Sequence, residues 1–245
     1  MKSIVSFAIF LLIGLTAIQP RPADAGLMDI LKGIETAIKG GELSDSTIIA
    51  GLKEALRIGT ADAVGTLSRL NGYYKNPNIR IPLPDKIQKA EKLLRVVGFG
   101  SEVDAFKLSM NRAAERAAPE AKSLFIDSIR QMTISDARKI LKGRDNQATL
   151  YFEDKTRDRL YELFKPITHT AMSEVGVTRS YQKLDAKMQT IPYGDRISFD
   201  LDDYVTNKAL DGLFFMVAEE ERKIRQDPAA RVTDLLKEVF GSQSR

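Results

Sequence analysis

The side chains with the most chemical potential are carboxylates set close together on one predicted helix. Glu219, Glu220 and Glu221 stand in a row, and Asp211 precedes them by about two turns. Two carboxylates in one open cleft could run general acid–base hydrolysis, provided their pKa values are held apart. Glu219 lies four residues before Lys223, and Glu221 four before Arg225, which are favourable surface spacings on a helix. Glu220 differs, because the apolar line Leu213, Met216, Val217 and Ile224 runs past it. A carboxylate there sits at the core edge or is buried with a cation, since a lone buried charge is very costly. Arg112 is the preferred cation. It follows Asn111 and is flanked by Met110, Ala113 and Ala114, small enough to let another helix approach. Arginine can make two parallel bonds to one carboxylate.

Asn111, Arg112, Asp211, Glu220 and Arg225 therefore form the candidate polar cluster. It reads either as a ligand-holding pocket or as an ion-pair network that fixes helix packing, and the structural reading is preferred. Asp211-Gly212 is an unusual pair inside a helix. Gly212 is expected to permit a close helix crossing, and Asp211 to meet Lys208 or cations near Arg222, or to face a cavity.

Other chemistries lack their parts. There are no cysteines and a single histidine, His169, so thiolate chemistry and two-histidine metal motifs are excluded. No Gly-x-Ser-x-Gly elbow accompanies His169. Gly98-Phe99-Gly100-Ser101 precedes a helix, but it follows another helix rather than a strand, so it reads as a turn and not a phosphate loop. No catalytic residue, metal ligand or cofactor is assigned.

These residues must be positioned by helices. Lys2, an apolar run from Ile4 to Ile18 and Ala23-Asp24-Ala25 have the form of a secretory signal peptide, with cleavage expected after Ala25. The apolar run is too short to span a bilayer comfortably. The expected location is periplasmic or secreted, with no stable membrane span once the leader is removed. Loss of Lys2, Arg21 and Asp24 leaves 35 basic and 32 acidic residues, interleaved along the helices. That pattern does not suggest nucleic-acid binding.

Residues 26–245 read as one all-α domain, an irregular and partly orthogonal bundle of about nine or ten helices. Leu27 to Ile38 is amphipathic. Ser44 precedes a helix with a stripe of Ile48, Leu52, Ala55, Ala63, Leu67 and Leu70. Ser101 with Asp104, and Thr133 with Asp136, have the capping-box spacing. Pro166 should kink or split the longest helical pattern, Asp145 to Val175. Ile191 to Gly194 reads as a loop, and Asp227-Pro228 should open a last helix ended by Gly241.

Asn71 to Pro84 is the longest irregular stretch, and its alternating prolines favour an extended path. Its apolar content is too high for a free linker, so it should lie against the bundle. Tyr73, Tyr74, Arg80, Ile81 and Leu83 are the candidate partner-binding residues of this loop.

Several runs occur in an order that is familiar: Ala50-Gly51-Leu52-Lys53-Glu54-Ala55-Leu56, Arg80 to Pro84, Ser109-Met110-Asn111-Arg112-Ala113-Ala114-Glu115, Lys208 to Phe214, Ala218 to Arg225 and Asp227 to Arg231. With Thr233 to Leu236 and Val239-Phe240-Gly241, they resemble the bacterial family DUF4197, over roughly Leu27 to Gly241. The resemblance implies an exported helical protein of a Gram-negative envelope, and it implies no activity, cofactor or catalytic residue. The expected function is a non-catalytic periplasmic binding or scaffold module. Its ligand would be an apolar small molecule held between helices, or an envelope protein docked on the loop. A carboxylate-based envelope hydrolase is the alternative.

Overall fold

Helix-forming stretches separated by strong local stop signals dictate the architecture. The computed structural model describes residues 44–174, 177–188, 200–227, 231, 233–234, 237 and 239. The leader, the Leu27–Ile38 segment, the Ile191–Gly194 loop and most of the helix expected after Pro228 lie outside the described residues. Within them are eight α-helices and no strand, so the expected count of nine or ten is not supported. They are α1 (Asp45–Leu67), α2 (Asp85–Val96), α3 (Gly100–Ala117), α4 (Ala121–Gln131), α5 (Ile134–Lys142), α6 (Gln147–Glu174), α7 (Val177–Met188) and α8 (Leu201–Gln226). A single 3₁₀ turn, Ala118–Glu120, carries Pro119 and links α3 to α4.

Helix α8 packs along α6, α1 and α3, while α3 also packs on α6, α7 and α2. The apolar stripes face these contacts. Phe106, Phe125, Phe152 and Phe164 are wholly buried, and Phe125 meets Phe152 at 5.2 Å and Phe214 at 6.2 Å between ring centroids. Such tilted pairs add to the area they bury. Leu52, Ala55, Ala63 and Leu67 of α1 are buried as the stripe requires, but Leu70 is 75% exposed because the helix stops at Leu67. Among the described residues no helix is long and apolar enough to cross a membrane.

Local capping decides several boundaries. Thr133 and Asp136 form the expected capping box: the Thr133 hydroxyl oxygen accepts from Asp136 N at 3.2 Å, and Asp136 Oδ2 accepts from Thr133 N at 3.1 Å. Asp200 caps α8 by accepting from Asp203 N at 2.9 Å. Ser101 and Asp104 do not form a box. The helix starts one residue earlier, at Gly100, and Asp104 is drawn away by Arg95, whose guanidinium reaches it at 2.6 Å. Pro166 does not split α6, which runs unbroken from Gln147 to Glu174.

These caps make stability depend on pH. The Thr133 hydroxyl and backbone N–H hold the Asp136 carboxyl below its ordinary range, and the Asp203 N–H does the same for Asp200. A carboxyl whose folded pKa is depressed stabilises the fold fully above its unfolded value, near pH 4. That contribution disappears as pH falls through the lowered folded values. Thermal unfolding followed from pH 7 to pH 2.5 should show a falling midpoint below about pH 4, with a shallower fall in Asp136→Asn. Thr133→Ala should cost about 1 kcal/mol at pH 7.

Candidate functional site

Between α1 and α2 the chain leaves helical geometry and crosses the bundle as a strap, residues 68–84. Its last part alternates strictly. Ile79, Ile81 and Leu83 are buried, while Arg80 and Pro82 are exposed. This is the period of an extended chain, but the prolines cannot donate to a ladder. The backbone groups that the strap buries must therefore find side chains.

Helix α3 supplies most of them. The Asn111 amide pairs with both backbone groups of Ile81, accepting from its N–H at 2.8 Å and donating to its carbonyl at 3.0 Å, and also donates to Lys107 O at 2.8 Å. One turn on, the buried Glu115 accepts from the N–H groups of Tyr73 and Tyr74, each at 3.2 Å. Arg112 binds the other oxygen of Glu115 and donates to Asn71 Oδ1 at 2.9 Å. Asn71 itself takes φ of 70°, a left-handed conformation that asparagine tolerates better than most residues.

Helix α8 holds the strap from the other side. The wholly buried Tyr73 donates to Ala209 O at 2.7 Å. Burial pushes its phenol pKa up, and the Glu115 charge adds to the effect. Tyr204 donates to Pro82 O at 3.1 Å, with its pKa pushed up to about 12 by burial. Gly212 explains itself here. A Cβ at that position would stand 2.7 Å from Tyr73 Cε1 and 3.2 Å from Ile79 Cβ. The close approach is by the strap rather than by a crossing helix.

The five residues of the sequence-derived cluster fall in four places. Asn111 and Arg112 share the strap cluster. The expected Arg112–Glu220 pair does not form, because Arg112 is satisfied by Glu115 three residues away, and Glu220 binds Lys223 at 2.7 Å. Asp211 is exposed, bound to Arg157 at 2.7 Å and to Lys208 at 3.5 Å. Glu219 pairs with Arg222 rather than Lys223.

Arg225 does pair with Glu221, at 2.8 Å, but Glu221 is buried and Arg225 half-buried, so this is not a surface contact. Glu221 also accepts from Ala148 N at 2.9 Å, Thr149 N at 2.8 Å and the Thr149 hydroxyl at 2.8 Å. A carboxylate from α8 thus caps the start of α6, where the helix dipole favours negative charge. Arg225 adds a bond to Ile140 O at 2.8 Å. Arg231 in turn donates to Ile224 O and Arg225 O at the end of α8.

Glu115, Thr149, Glu221 and Arg231 were not among the residues expected from sequence. Glu115 and Glu221 each had a local sign, a three-residue spacing from Arg112 and a four-residue spacing to Arg225. The loop's apolar residues Tyr73, Ile81 and Leu83 are buried, so they form no exposed patch; Tyr74 is half-buried and Arg80 exposed.

What the strap does expose borders a cleft of about 360 Å³, walled by Pro77, Arg80, Pro82 and Leu83 on one side and by Gln88, Glu91 and Lys107 on the other. Glu91 is engaged by Arg95 at 2.7 Å and by Lys107 at 3.6 Å, and the Arg95 hydrogen bond holds its carboxyl below the ordinary range. The Arg80 guanidinium has no bonded partner among the described residues. His169 is a surface residue 2.7 Å from Asp202. No group of three or more potential metal-ligating side chains occurs among the described residues.

A family model described as a protein of unknown function, DUF4197, matches residues 42–241. No curated protein and no solved structure matches the chain.

Two stability measurements check this geometry. In a double-mutant cycle by urea unfolding, Arg112 and Glu115 should couple by at least about 1 kcal/mol, and Arg112 and Glu220 by less than about 0.5 kcal/mol. Gly212→Ala should destabilise by about 1–3 kcal/mol, because the new methyl meets a ring that is already hydrogen-bonded in place.

Proposed function

The chain belongs to the DUF4197 family of proteins of unknown function, and from that premise we propose that it is a non-catalytic binding module of the bacterial envelope. Export by the first 25 residues is part of this reading. Its recognition face is the cleft beside the strap, and its ligand carries a carboxylate or phosphate group.

One observation carries the proposal. Arg80 is exposed at the cleft wall without a partner among the described residues, on a backbone pinned by the neighbouring Ile81 and Pro82 bonds. A guanidinium presented on a fixed backbone offers a bidentate donor set to a planar anion at reduced entropic cost. Lys107 lies across the cleft as a second cation, 3.6 Å from Glu91, which Arg95 holds more closely at 2.7 Å. The cleft volume is within the range of small-ligand sites.

The alternatives have weaker support. Asp211 and Glu220 are nine residues apart on α8, which is two and a half turns. They therefore point in opposite directions and stand about 14 Å apart along the axis. Each has its own cation, so the hydrolase reading has no shared cleft. The cavity between α1, α6 and α8, lined by Leu52, Ala55, Leu56, Ala148 and Ile224 with the Glu221–Arg225 pair, has about 10 Å³ of room. That is the scale of one water, not of a lipid chain.

The test is a thermal-shift panel of carboxylates, phosphates and acidic peptides on the exported protein and on Arg80→Glu. A ligand at a hundred times its Kd should stabilise the wild type by about 2.7 kcal/mol. Arg80→Glu should unfold at the wild-type temperature without ligand and lose the shift. Equal shifts in both proteins would place the ligand elsewhere.

A further inference from the structure

Helices α2 and α3 form a hairpin whose turn is unusually apolar. Leu93, Val96 and Val97 are 44%, 78% and 41% exposed. They are three of the eight exposed large hydrophobic residues described, and all three fall within five positions. Isolated exposed aliphatics are ordinary, but a contiguous group marks a contact surface.

The helix is built with two working faces. Ile87 and Leu94 are wholly buried against the bundle. Lys89, Lys92, Leu93 and Val96 follow the i, i+3, i+4, i+7 spacing of a second stripe, and all are exposed. Lys89 stands one turn before Leu93, and Lys92 one turn before Val96. Neither lysine has a partner among the described residues. Of the carboxylates nearby, Arg95 holds Glu91 at 2.7 Å and Asp104 at 2.6 Å, Glu102 takes the Ser101 hydroxyl at 2.9 Å, and Asp85 stands one turn before Lys89 at the start of the helix.

The turn itself is fixed. Gly98 adopts φ of 90°, and Phe99 N donates to Leu94 O at 2.8 Å, the long bond of a Schellman closure. Val96 and Val97 therefore sit where the chain reverses, at a convex corner rather than in a groove. A convex aliphatic tip cannot enclose a small ligand. It can enter a soft apolar layer while the lysine stems lie along that layer and their ammonium groups reach its anionic edge.

We propose that the α2–α3 tip is a docking surface for an anionic phospholipid bilayer. Peripheral attachment of this kind needs no spanning helix. It combines a few inserted aliphatic side chains with attraction between lysines and lipid phosphates. The proposal is independent of the anion cleft, which uses the inner side of the same helix.

The experiment is vesicle co-sedimentation of the protein expressed from the full chain and recovered after export. Vesicles of phosphatidylglycerol and phosphatidylethanolamine are compared with vesicles of phosphatidylcholine, in low salt and in 0.5 M NaCl. The wild type should partition to the anionic vesicles at least ten-fold more strongly, and salt should weaken it. Val96→Asp should lower binding at least ten-fold, and Lys89→Glu/Lys92→Glu by a similar factor. Val96 is exposed, so Val96→Asp should keep the wild-type unfolding temperature and any anion-dependent shift. Absence of wild-type binding to anionic vesicles, equal binding by Val96→Asp, or no preference over phosphatidylcholine would each overturn the proposal. So would a wild-type dimer that Val96→Asp converts to monomer without any vesicle binding, since the tip would then belong to a second copy of the chain.

Discussion

A non-helical segment buried in a helical bundle has to bring its own hydrogen-bond partners, and this requirement organises the protein. Helices satisfy their backbone internally, but the strap at residues 68–84 does so only in part. An unsatisfied buried N–H or C=O costs as much as a lost hydrogen bond. Asn111 answers this most economically, because one amide matches both backbone groups of Ile81. Glu115 answers it for Tyr73 and Tyr74, at the cost of burying a charge. That charge then requires Arg112, which in turn reaches Asn71 at the head of the strap. The whole constellation follows from the decision to run a proline-rich chain across α3.

The same physics recurs at helix ends. The first N–H groups and last carbonyls of a helix have no partner within it. Glu221 of α8 serves the start of α6, and Arg231 serves the end of α8. Arg225 balances Glu221 and reaches the Ile140 carbonyl of α5. Buried ion pairs are weak evidence for stability when compared with a well-packed apolar alternative. Here both carboxylates do a second job, because each accepts backbone N–H groups that no apolar residue could satisfy. Their fixed coordination also leaves them little freedom for acid–base chemistry.

How far the sequence could be read follows from what it encodes locally. The Thr133–Asp136 capping box depends only on residues three apart, and it formed as its spacing requires. The helical period and the proline-rich interruption are equally local, so the all-helical class and the strap lying against the bundle were legible. Partner choice across elements was not. Arg112 had a partner three residues away in Glu115, yet the apolar line near Glu220 made a distant pairing look necessary. Glu221 is buried against the start of α6 and Glu220 is half-buried beside Gly59 of α1, which no single-helix pattern fixes. A nine-residue spacing on a helix places Asp211 and Glu220 on opposite sides.

Once the interior polar groups are assigned to the fold, the residues available for interaction are those left over on the outside. Many surface charges are paired, including Arg138 with Asp45, Arg116 with Glu174 and Arg157 with Asp211. Arg80, Lys89 and Lys92 are among the cations without such partners in the described residues, as are Arg57, Lys122, Lys142 and Arg159 on other helices; the first three lie on the strap or on the helix that follows it. The clamp that solves the strap's backbone problem also determines this. By fixing Ile81 inward, Asn111 forces the adjacent Arg80 outward, since neighbouring side chains of an extended chain point to opposite faces. Pro84 then ends the extended path and α2 begins at Asp85, with Ile87 and Leu94 seated in the core and the lysine stripe turned away. The rigidity that burial imposes on one side of this segment is what orients its free charges on the other.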